Sequence, residues 1–142
     1  MDWNIDIDNI YNLVDEEVSR AADSAYSDDG VSLYDNVVLS ARDKDTVLRF
    51  IGDAVQGIQA RLFDVARIIS PTEVHFHLPD FDPSYETSAK AELTRYIVMA
   101  VCASLFRQTR AVLVQEYTDR AQLAINNAVV MLKTRKSPAD IW

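Results

Sequence analysis

RYIVMAVCASLFRQTRAVLVQEY, residues 95–117, decides how this chain folds. From Tyr96 to Phe106 only Ser104 interrupts the apolar run, so a helix here is greasy nearly all round and belongs at the centre of a bundle. Nothing between Phe106 and Val112 breaks a helix. Local chemistry alone would allow one helix from residue 84 to 136, about 80 Å long at ~1.5 Å per residue. Compactness favours a bend or a tight corner near the polar stretch Gln108–Arg110 instead, giving four helices of comparable length.

Working outward, a stripe follows the corner: Val114, Tyr117, Ala121, Ala124, Ile125, Ala128, Met131 and Leu132. KTRKSP (133–138) closes it with cations at the negative end of the helix dipole and a proline beyond. Upstream, Asp82-Pro83-Ser84 opens the central helix, with proline suited to a first turn. A second stripe runs from Val47 through Phe50, Ile51, Ala54, Ile58, Leu62, Val65 and Ala66 to Ile69. Ser40, Asp43 and Asp45 are its cap candidates, and Ser70-Pro71 its stop. Gly52 and Gly57 interrupt this helix, and close packing of a neighbour is the structural reason to keep them. Ile7, Ile10, Val14, Val18 and Ala21 predict a first helix from about Ile7 to Tyr26, stopped by SDDG (27–30).

Glycine (3) and proline (4) are scarce, which favours a few long helices over many short strands. The expected fold is therefore mainly α, a single domain over residues 1–142. It is a helical bundle of three to four long helices, with tails at 1–6 and 137–142. TEVHFHLPDFDP (72–83) is the exception. In a strand, Val74, Phe76 and Leu78 share one face and Glu73, His75 and His77 the other. That pattern predicts a short β-strand or hairpin element around 72–78, which needs a pairing partner. Val37–Leu39 or a neighbouring subunit could supply one.

The same stretch holds both histidines, and His75, His77, Asp80 and Asp82 are the candidate metal ligands. Against a metal centre, the chain has no third histidine and no second cysteine. Acids beside a proline turn are also ordinary turn chemistry. The sequence reading assigns no metal and no cofactor. It assigns no catalytic residue either: there is no glycine-rich phosphate loop and no serine with an Asp–His arrangement. The pairs Glu16–Glu17 and Asp28–Asp29 fall in solvated or turn contexts.

Net charge is −8, which argues against nucleic-acid binding. Residues 1–45 carry twelve acids and three bases, net −9, while residues 107–142 carry six bases and three acids, net +3. Such polarity suits subunits stacked head to tail. The N-terminus lacks a signal-peptide pattern, and the longest apolar run is shorter than the ~18 residues of a membrane span. The lone Cys102 reads as a small buried hydrophobe in a reducing setting. Trp3 and Trp142 stand in polar terminal segments, where an aromatic can anchor to another subunit.

LYDNVVLSARDKDTVLRFIGDAVQGI (33–58), the strand-like TEVHFHLPDFDP, RYIVMAVCASLF (95–106) and EYTDRAQLAINNAVVMLKTRKSP (116–138) follow one another in a particular order and texture. That layout resembles the small helical virion proteins of tailed bacteriophages that form rings at the head–tail junction. The resemblance implies a connector, adaptor or tail-completion subunit without an active site, assembled in the host cytoplasm into the virion. Its partners would be portal or tail ring subunits and further copies of itself. Interface candidates are Trp3, Val74, Phe76, Leu78, Arg135, Lys136, Ile141 and Trp142. Two other classes fit the residues: a small acidic inhibitor or immunity-type protein that binds a basic partner, and a metal-dependent enzyme built on His75 and His77.

Overall fold

The computed structural model describes residues 2–24, 44–62, 66–70, 73–77 and 83–133. Chain order is β1 (Asp2–Asp6), α1 (Ile7–Ser24), α2 (Lys44–Leu62), β2 (Ala66–Ser70), β3 (Glu73–His77), α3 (Glu86–Thr109) and α4 (Val114–Lys133). Short 3-10 turns, Pro83–Tyr85 and Ala111–Leu113, lead into α3 and α4. Among the described residues the fold is mainly helical, four long helices with a small antiparallel sheet.

The corner falls where the polar stretch was. α3 ends at Thr109, and Arg110 leaves helical geometry at φ −150°, ψ 86°, with its N–H donating to the Phe106 carbonyl at 2.7 Å. α3 and α4 then pack against each other as an αα-hairpin, and Phe106 meets Tyr117 across it with ring centroids 5.0 Å apart. α3 also packs against α1 and α2, which makes it the centre of the molecule. Leu93, Ile97, Val101, Cys102, Leu105 and Phe106 of this helix are all buried. Ile51, Ala54, Ile58, Leu62 and Ile125 join the same core, as their stripes predict, while Phe50 and Leu132 are only partly buried against it.

Gly57 shows why the second helix keeps a glycine. A Cβ built there lands on the Tyr96 hydroxyl of α3, so the missing side chain makes room for that phenol. Arg61 of the same helix donates to the Asn126 side chain of α4 at 3.0 Å.

Three expectations are corrected. The second helix does not run on to Ile69: it ends at Leu62, and Ala66–Ser70 is the strand β2. The apolar residues there match a helical period, but β2 pairs antiparallel with β3, and that tertiary pairing overrides the local pattern. Residues 2–6 are not a tail. They form β1, whose Asp-Trp-Asn-Ile-Asp alternation is a strand pattern, and Asp6 then caps α1 by accepting the Asp8 N–H at 2.9 Å. Finally, β3 has no free edge. It is the central strand of the order β1-β3-β2, paired on both sides within the chain.

The predicted alternation of β3 does hold: Val74 and Phe76 are fully buried, whereas Glu73 and His75 are half-buried and His77 exposed. Of the α2 cap candidates, Asp45 lies in the first turn. Ser40, Asp43, Val37–Leu39, Tyr26 and Val65 fall outside the described residues.

Candidate functional site

The histidine strand supplies the first candidate site. Asn4 of β1 stands opposite His75 of β3 in the sheet register. The His75 Nδ1 lies 2.6 Å from the Asn4 Oδ1, and the Asn4 amide donates to Glu73 at 3.1 Å. A carboxamide oxygen only accepts, so His75 donates from Nδ1, and one ring nitrogen is committed to the sheet. His77 is on the same outer face two residues on. Asp80 and Asp82 lie outside the described residues. Among those described, no three potential metal ligands come together. What these residues do here is tie β1 to β3 on the sheet's wet face.

The interface candidates separate into three groups. Val74 and Phe76 are core residues of their own chain, with no exposed surface, so they cannot meet a partner. Burial of alternate residues was legible in the sequence; that the two neighbouring strands would come from β1 and β2 was not. Trp3 is part of β1, in register with Phe76. Leu78, Arg135, Lys136, Ile141 and Trp142 lie outside the described residues.

A second constellation joins α1 to α4. The Tyr117 hydroxyl donates to Glu17 at 3.1 Å, and Arg20, one turn along α1, donates to the other Glu17 oxygen at 2.9 Å. Burial above all, then the Glu17 charge and hydrogen bond, push the Tyr117 phenol well above its usual range. Burial, with a smaller push from Glu17, holds the Cys102 thiol up in the same way. Both groups stay protonated and unreactive at neutral pH, the opposite of what a nucleophile needs. This is a structural clasp.

Two surface features remain. Between α1 and α3 runs a groove of about 580 Å³. Its lining mixes apolar Leu13, Ala91, Val98 and Met99 with Glu16, Glu17 and Arg20 of α1 and Lys90 and Arg95 of α3. The second feature is a ridge. Among the described residues three large apolar side chains are exposed: Val112 (72%), Leu123 (60%) and Val130 (69%). Leu123 and Val130 are seven residues apart and so share one line along α4, with Glu116 and Asp119 before them on the same face. Sequence reading singled out the inner stripe of α4 and passed over this outer one. Seven-residue spacing between two apolar residues within a polar face was its signal.

Comparison with protein-family models, characterised proteins and solved structures finds no match. Among the described residues, no helix is long and apolar enough to cross a membrane.

Proposed function

We propose that this chain is a non-enzymatic virion structural protein, a head–tail connector, adaptor or tail-completion subunit that assembles into a ring at the neck of a tailed bacteriophage. The observation that carries the reading is the outer face of α4. Among the described residues, Leu123 and Val130 on this face keep 60% and 69% of their surface exposed, whereas most apolar residues of the helices are buried or partly buried. Exposed apolar residues aligned on one helix face, flanked by charge, suit a surface that meets another protein. The charge polarity of the chain, −9 over residues 1–45 and +3 over residues 107–142, supports contacts between unlike ends. The helical order on which the resemblance rests supports the choice of virion assembly.

Native mass spectrometry of the purified protein tests this reading. A closed oligomer that grows with protein concentration and dissociates as salt rises is the expected result, because contacts between exposed charges are screened. A chain that stays monomeric at every concentration, and instead captures one basic protein tightly at 1:1, belongs to the inhibitor class.

A further inference from the structure

We draw no further inference here: the strongest candidate, the groove between α1 and α3 that Leu13 and Ala91 line with Lys90 and Arg95, is a surface for which nothing in the structure shows what covers it.

Discussion

The two helices of the hairpin are about equally apolar on average, yet they use that character differently. From Ile97 to Phe106, α3 spreads its apolar residues around most of its circumference and packs them against α1, α2 and α4. α4 gathers its own on one side, burying Tyr117, Ala121, Ile125 and Ala128, and keeps Leu123 and Val130 in water. The contrast teaches that apolar content alone does not say what a residue is for. On α3 the large apolar residues are spent on folding. On α4, Leu123 and Val130 stay largely exposed, and on the proposed function that outer face is what assembly would use.

The sharpest way to break this contrast is to truncate the central helix. Ile97→Ala should cost about 2–5 kcal/mol in denaturant unfolding, through lost transfer energy and the cavity left behind. Ile58→Ala on α2, also fully buried, should fall in the same range. A loss under roughly half a kilocalorie at both sites, the range of surface changes, would mean the core has been misplaced.

Tyr117→Phe probes the inner side of α4. It removes the hydroxyl that Glu17 accepts, at a cost of roughly 1.5 kcal/mol for a hydrogen bond to a charged group. pH gives the change a second readout. Tyr117 has a folded-state pKa above its unfolded value of about 10, so its contribution is whole below that pH and is lost as pH rises through the folded value. Between about pH 9 and about pH 11 the wild type should therefore lose more stability than Tyr117→Phe. Equal losses would detach the phenol from the clasp.

Smaller still is the effect expected at Gly57. Alanine gains about 1 kcal/mol of helix propensity there but collides with the Tyr96 hydroxyl, so the single variant should be close to neutral or slightly destabilised. Removing that hydroxyl in the Gly57→Ala, Tyr96→Phe pair should release the gain. Urea midpoints of the two single variants and the pair decide it, and strict additivity would show that the contact is not what keeps the glycine.

The helices were legible because each announces itself twice, by an apolar stripe and by its ends. Pro83 opens the third, the polar Gln108–Arg110 stretch marks the corner, and Phe106 and Tyr117 face each other on stripes read from the sequence. The sheet was only half legible. β3 showed its alternation, but Ala66–Ser70 satisfies a helical period equally well, and only pairing with β3 decides between the two. β1 was hidden because five residues at a terminus with acidic ends look like a tail until a partner strand is present. The same limit applies to the site. Which apolar residues of α4 end up outside depends on where α3 lies, and no local pattern carries that information.

The central claim is that the outer face of α4 serves assembly and not folding, and Leu123→Asp tests it in a single preparation. Its unfolding midpoint and its native mass spectrum are measured beside those of the wild type. The account expects stability to stay within about half a kilocalorie per mole, as for other exposed positions, while the higher oligomers of the wild type disappear. A large loss of stability, or oligomers that persist with the charge in place, would contradict it.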